Sequence, residues 1–409
     1  MGCCDQPGLM PLNEGLEKLL AGVIPVTETE SVALADAAGR VLAEDIRADS
    51  SVPGFDNSAM DGYAIRLDSI AVDQPIPVQG KSFAGAPFRQ PLEPGKAVRI
   101  MTGAAIPDGA DCVIMQENTL AESDTIRFLK LAEPGNNIRR AGEDIAIGDT
   151  VLTRETRLNA AHIALLAATG RERVDVFRKT RVALISTGDE LKTPGVPLGF
   201  GDIYNSNGPA LTTMLNRLGV ELIDYGILPD DRETFVTTFL EADRACDFVI
   251  TSGGVSVGEA DYTKDVLEEL GDIRFWKLAI KPGKPFAFGK LPNSVFIGLP
   301  GNPVSAMVTF HVLGSQAIRQ HQHVGYRPMQ QLKARSVDDI RKAPGRMDFQ
   351  RGHWQLSETG VDVRLTRSDQ GSHILTSLAN ANCYIALEKE RGQVLSGEEV
   401  TLWLFDDLI

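Results

Sequence analysis

Residues 251–264 read TSGGVSVGEADYTK, and the apolar run 248–250 leads straight into them. A hydrophobic run, a glycine pair and then an acidic and hydroxyl cluster read as a strand, a tight turn and the start of a helix. Gly253 and Gly254 can take backbone angles that other residues avoid, so a ligand can come close to backbone N–H groups. The same alternation repeats on either side. Strands are expected at 182–186, 221–227, 248–251, 275–280 and 295–299, and helices at 208–218, 233–245, 262–270 and 304–319. Such alternation predicts a doubly wound, mostly parallel sheet over 179–326, with ligands at the carboxyl ends of its strands.

The flanks have a different texture. Leu12, Leu16, Leu19, Leu20 and Val23 recur at helical spacing, and Leu34, Ala38, Val41 and Leu42 follow, so 11–45 reads as helix, turn, helix. From 46 to 150, Gly and Pro become dense and short β-like runs appear at 98–101, 112–115 and 125–129. Residues 151–178 return to helix, best at 160–168. The β-rich block therefore reads as a domain inserted into a helical linking domain made of 11–45 and 151–178. From 327 to 409 strands are expected at 360–365, 383–387 and 399–404, in a β-barrel-like domain. The expected fold class is thus a multidomain α/β and β chain.

A chain of 409 residues is too long for one ordinary core. Its hydrophobic content of 43% and charged content of 23% are those of a globular protein. A net charge of −14 argues against a nucleic-acid partner, which needs a basic face. Cys3, Cys4, Cys112, Cys246 and Cys383 are odd in number and scattered, which suits neither a disulfide framework nor a zinc site. A reducing, cytoplasmic setting fits. No apolar run reaches the roughly 18 residues a membrane span requires. The start Met1-Gly2-Cys3-Cys4 fails the acylation pattern because position 6 is Gln6.

Several motifs carry chemistry. In the opening stretch, Ser252, Gly253, Gly254 and Ser256 suit a phosphate. Asp261 and Thr263 begin the next helix, with Lys264 beside them, and the plainer reading of Asp261 is a helix cap. Glu190, in Ser186–Glu190 (STGDE), and Asp230, in LPDD, stand at two further strand ends. With Asp261 they make three carboxylates at one sheet edge, the pattern that makes a metal–phosphate site plausible. Lys277, Lys281 and Lys284 lie on the fourth strand and the loop after it. Lys277 and Lys281, four apart, share a face if that strand is regular. The turn Leu299–Pro303 (LPGNP) supplies Pro300, Asn302 and Pro303. In the β-rich insert, PGFDNSAMDGYA (53–64) carries Asp56, Asn57, Ser58 and Asp61 and reads as a functional loop with no core to build. Thr102 and Asp144 lie in nearby polar segments. Arg139 and Arg140 could grip an oxyanion bidentately, or be plain surface arginines. Near the end, MDFQRG (347–352) and DQGSH (369–373) place Arg351 and Ser372 within reach of a ligand. His373 alone reads as structural.

These motifs, with RIMTGAAIP, NIRRAGEDI, KPGKPFAFG and GLPGNPVSA, occur in an order that resembles the MoeA family of molybdopterin molybdenumtransferases, which includes the gephyrin E domain. The resemblance runs from about residue 11 to 409. It implies a four-domain homodimer whose cleft forms between the α/β domain of one subunit and the β-rich insert of the other. It implies insertion of molybdenum from molybdate into adenylylated molybdopterin, with release of AMP and Mg²⁺ as cofactor. It places Asp61, Thr102, Asp144, Glu190, Asp230, Asp261, Lys277, Lys281, Pro300 and Pro303 in or near that cleft. Glu190, Asp230 and Asp261 are the expected metal ligands, and Arg139, Lys284 and Ser372 would bind substrate. It also implies contacts with the adenylyltransferase that supplies the substrate and with the enzymes that receive the cofactor.

Overall fold

Alternate residues of the strand Arg181–Thr187 (β1) enter two different hydrophobic cores. Val182 and Leu184 pack with Leu211, Met214 and Leu215, while Ala183 and Ile185 pack with Phe235, Phe239 and Ala242. Phe248 and Ile250 join the first core and Val249 the second; Ile297 and Leu299 join the first and Phe296 the second. Strands buried on both faces need continuous apolar runs, and a one-residue slip would exchange the two cores. The computed structural model describes residues 8–130, 132–254, 262–358 and 360–409, with side chains omitted at 262–265 and 275. The chain divides into two compact units, one comprising Met1–Glu30 with Phe177–Ile409 and the other Ser31–Val176.

In the first unit, β1 is followed by Glu221–Leu228 (β2), Phe248–Ser252 (β3), Asp272–Lys277 (β4), Pro285–Lys290 (β5) and Val295–Leu299 (β6). The order is β2-β1-β3-β6-β5-β4, parallel from β2 to β6, with β5 antiparallel to both its neighbours. Helices Asn207–Arg217 (α1), Arg232–Ala245 (α2), Tyr262–Leu270 (α3) and Pro303–Thr309 (α4) connect or follow these strands. Asp231 caps α2 by accepting the Thr234 N–H at 2.8 Å. Helix α4 runs on through a π turn, Phe310–Gly314, into Ser315–His321. The N-terminal helix Leu12–Gly22 lays Leu12 and Leu19 into the first core.

The expected strand over 275–280 is broken. β4 ends at Lys277, because Met10 donates to the Lys277 carbonyl at 2.8 Å and Ala279 donates to Met10 at 2.7 Å. Ile280–Lys281 then pairs with Met347–Asp348 in another sheet. Lys277 and Lys281 therefore do not lie on one regular strand. β5, in a stretch where no strand was expected, is the added antiparallel strand.

The C-terminal strands form a closed five-stranded barrel. Met347–Ser357 pairs with Gly360–Leu365 on one side and Cys383–Leu387 on the other, and Gln331–Ser336 and Glu399–Leu404 complete the circuit. Closure leaves no open edge. Ala334, Val363, Ile385 and Leu402 fill it.

The second unit holds a six-stranded sheet, Cys112–Met115, Gly62–Ile65, Ala97–Ile100, Ile76–Ser82, Thr125–Phe128 and Thr119–Glu122 in spatial order. Its helix Ala160–Ala168 lies as expected, with an Asn159–His162 capping box. The second helix expected before residue 45 is absent: a single 3-10 turn, Leu34–Asp36, is followed by Gly39 at φ +80°. Ala37 and Leu42 reach the core with Leu166 and Val176 without a helix. The 53–64 segment is also not loop throughout. Gly62–Ile65 is a buried strand, and a Cβ at Gly62 would lie 2.0 Å from the Ile114 carbonyl.

Candidate functional site

Four adjacent parallel strands end at one level. The final register pairs are Thr187 with Leu228, Ser186 with Ser252, and Ser252 with Leu299. The next residues are Gly188, Pro229, Gly253 and Pro300, each a type that stops a regular strand. Gly253 has φ +93°, and its N–H donates to the Leu299 carbonyl at 3.1 Å. A side chain there would place Cβ 2.6 Å from the Thr187 carbonyl. The β1 and β3 loops thus touch because one of them has no side chain.

Above this row lies a cleft of about 840 Å³. Its walls include the expected residues Glu190, Asp230, Ser252, Gly253, Gly254, Pro300, Asn302 and Pro303. Ser256 and Asp261 lie outside the described residues. Asn207, buried at the head of α1, donates to the Ser252 hydroxyl and to the Gly301 carbonyl, both at 2.8 Å, and so ties the β3 and β6 loops together. Asn205 donates to the Ser186 hydroxyl at 2.9 Å and accepts the Gly208 N–H at 2.9 Å. Asn205, Asn207, Tyr204, Phe235, Leu375 and His373 line the cleft and were not expected to. The signal for the asparagines was the run Asn205-Ser206-Asn207 at a helix start, where Asn and Ser are favoured.

The carboxylates of Glu190 and Asp230 are exposed on the cleft wall, and among the described lining residues none is a lysine or arginine. A phosphate ligand would meet net negative charge there unless a cation came with it. Magnesium is a hard ion usually held by one or two carboxylates plus substrate phosphates, so this donor set fits it. Among the described residues no three His, Cys, Asp or Glu side chains gather into a metal-holding group.

The lysines stand elsewhere. None of Lys277, Lys281 and Lys284 lines the cleft, although Pro285 does. Lys281 donates to the buried Asp348 carboxylate at 3.3 Å. Ser372 does not line it either; its carbonyl accepts the Val304 N–H at 3.1 Å. Arg351 corrects another expectation, because it is fully buried and cannot reach a ligand. It donates to the Ser377 hydroxyl (3.0 Å) and to the carbonyls of Phe349 (3.2 Å) and Gly371 (3.3 Å). Burial pulls its pKa down to about 10, against the pull of Asp348. Its effect is to hold the segment that carries His373 and Leu375.

In the second unit, Asp61 Oδ1 accepts the Thr102 N–H at 2.8 Å and the Thr102 hydroxyl at 2.7 Å. These two bonds hold the Asp61 carboxyl below the usual carboxylate range. Two residues singled out separately in the sequence are therefore one hydrogen-bonded pair. Asp56 accepts the Ala141 N–H at 2.8 Å and an Arg140 N–H at 2.6 Å. Arg140 is thus engaged within the protein, while Arg139 and Asp144 are exposed.

Known proteins resemble this chain over nearly its whole length. Family models match residues 10–170 (MoeA N-terminal region, domain I and II), 183–320 (probable molybdopterin binding domain) and 333–405 (MoeA C-terminal region, domain IV). A molybdopterin molybdenumtransferase of Haemophilus influenzae is 47% identical over 98% of this chain and 100% of its own length. One from Nostoc is 36% identical over 91% of this chain and 88% of its own. The crystal structure of a molybdopterin biosynthesis moeA protein from Pyrococcus horikoshii aligns with a TM-score of 0.82 at 32% identity, covering 97% of this chain and 100% of that one.

Proposed function

This chain belongs to the MoeA family of molybdopterin molybdenumtransferases, enzymes of molybdenum cofactor biosynthesis, and we propose that it inserts molybdenum from molybdate into adenylylated molybdopterin, releasing AMP with the help of Mg²⁺. The observation that carries this reading is the cleft where four strand ends meet, with Gly253 and Gly254 on its floor and Glu190 and Asp230 on its wall. Gly253, Gly254 and Ser252 take the pyrophosphate. Glu190 and Asp230 would hold Mg²⁺, and the ion would supply the countercharge that phosphoanhydride cleavage needs. A molybdate oxygen is the attacking atom, with Lys277, Lys281 and Lys284 as its electrostatic attraction. The protein acts as a cytoplasmic homodimer in which the Asp61–Thr102 pair of one subunit serves the cleft of the other. The buried, free thiols of Cys112, Cys246 and Cys383 suit that compartment.

Purified protein is given adenylylated molybdopterin, molybdate and Mg²⁺, and AMP is measured. Release should require molybdate, stop with EDTA, and fall at least tenfold in Asp230→Ala. AMP release that ignored molybdate, or efficient adenylylation of free molybdopterin from ATP, would overturn this reading.

A further inference from the structure

Asp189 precedes Glu190 in the chain and bonds the backbone of Asp230, yet does not line the cleft itself. Its Oδ1 accepts the backbone N–H of Asp230 at 3.0 Å. The ladder between β1 and β2 stops at Thr187–Leu228, and beyond it the two chains part. One turns at Gly188, φ +139°, and the other enters Pro229, which has no N–H to give. Asp230 is therefore the first residue past the ladder that can donate across the gap. Asp189 is fixed in its own loop, since Lys192 Nζ donates to its carbonyl at 3.2 Å and the Leu191 N–H closes on Gly188 at 3.0 Å.

We infer that Asp189 is a positioning residue: its carboxylate braces the Asp230 backbone and keeps Asp230 and Glu190 on one wall, so that the two bind Mg²⁺ together. This rests on the function proposed above. The brace needs an acceptor, not a charge, so an asparagine serves and an alanine does not. A metal ligand at 189 would behave oppositely, because an amide is a far poorer partner for a hard cation than a carboxylate.

The test is a titration of the full-length protein with Mn²⁺ in place of Mg²⁺, in the presence of AMP, read by electron paramagnetic resonance. Asp189→Ala should weaken Mn²⁺ binding about five- to tenfold, what one lost hydrogen bond of ordinary strength allows. Asp189→Asn should stay within about threefold of the parent, a difference owed to the lost charge. Amide hydrogen exchange over 228–232 should quicken in Asp189→Ala and hold in Asp189→Asn. Equal loss of Mn²⁺ in both variants would overturn the brace, and so would an alanine variant that matches the parent in binding and exchange. The exchange readout is independent of turnover. Parent protein that releases no AMP, while the exchange pattern holds, would sink the proposed function and leave the brace standing.

Discussion

Two single residues decide how the cleft is built, and the sequence exposed one of them. Gly253 was readable because a glycine pair after a strand is a conformational signal, and the structure shows both the positive φ and the close Thr187 carbonyl. Gly253→Ala should cost about 1–3 kcal/mol in urea unfolding from backbone strain alone, with more from the crowded Cβ. It should also raise the KM for the pterin nucleotide more than it lowers kcat, because the defect lies in the binding floor. Arg351 was legible only as an arginine in a polar run. Its burial arises from the barrel strand Met347–Ser357 meeting the 369–377 segment, a contact between residues some twenty positions apart. Arg351→Ala leaves the Gly371 and Phe349 carbonyls short of a donor and opens a cavity. It should lower stability by about 3–5 kcal/mol, measured by denaturant midpoint. Asp61 and Thr102 show the opposite case, since each was visible alone and only the fold joined them.

At the scale of elements, the helix from Pro303 to His321 carries a test of buried charge. His321 Nδ1 lies 2.9 Å from the Thr180 hydroxyl, Phe248 packs edge-on to its ring, and Asp247, Arg178, Glu28 and His323 surround it. Burial pulls its pKa down to about 4, against the pull of Asp247. The folded state thus resists protonation that the unfolded chain accepts near pH 6.5. In the window between about 6.5 and 4 the unfolded state binds more protons, so stability rises with pH there and is lost as pH falls. The loss should amount to on the order of 1–3 kcal/mol by pH 4. His321→Gln should flatten that part of the melting-temperature profile. A profile as steep as the parent's would show that other groups carry the acid sensitivity. Asp247, held low by Arg178 and the Arg181 N–H despite burial, adds its own loss only below its ordinary carboxylate range. Elements of this α/β region were well marked in the sequence, because strands buried on both faces must be apolar throughout. β5, Gln331–Ser336 and Met347–Ser357 were not: the apolar run of β5 is only Phe286–Phe288, between a proline and Gly289-Lys290, and in the other two Lys, Arg or Gln interrupt the apolar residues. The missing helix after residue 33 failed for a related reason: Leu34, Ala38, Val41 and Leu42 fit a helical period, but Gly39 at positive φ breaks the chain before a helix can form.

For the whole molecule, the open question is how residues far apart in the chain come to serve one reaction. The cleft collects its walls from loops spread between Thr187 and Leu375, and parallel topology alone accounts for the strand-end part of that gathering. The Asp61–Thr102 pair belongs to the other unit of the chain, and no local pattern in the sequence fixes which cleft it serves. The homodimer proposed above assigns it to the partner's cleft, and mixing experiments can decide. Asp61→Ala and Asp230→Ala should each be nearly inactive alone. When the two proteins are mixed and allowed to exchange subunits, half the dimers become mixed. Each mixed dimer then has one cleft with both defects and one with neither, so about a quarter of parental activity should return in a two-fold symmetric pair. If each cleft instead used its own subunit's Asp61, every site would still carry one defect and none would recover. Native mass spectrometry of tagged subunits verifies the exchange, so a silent mixture of confirmed mixed dimers would count against the shared site and not against the assay.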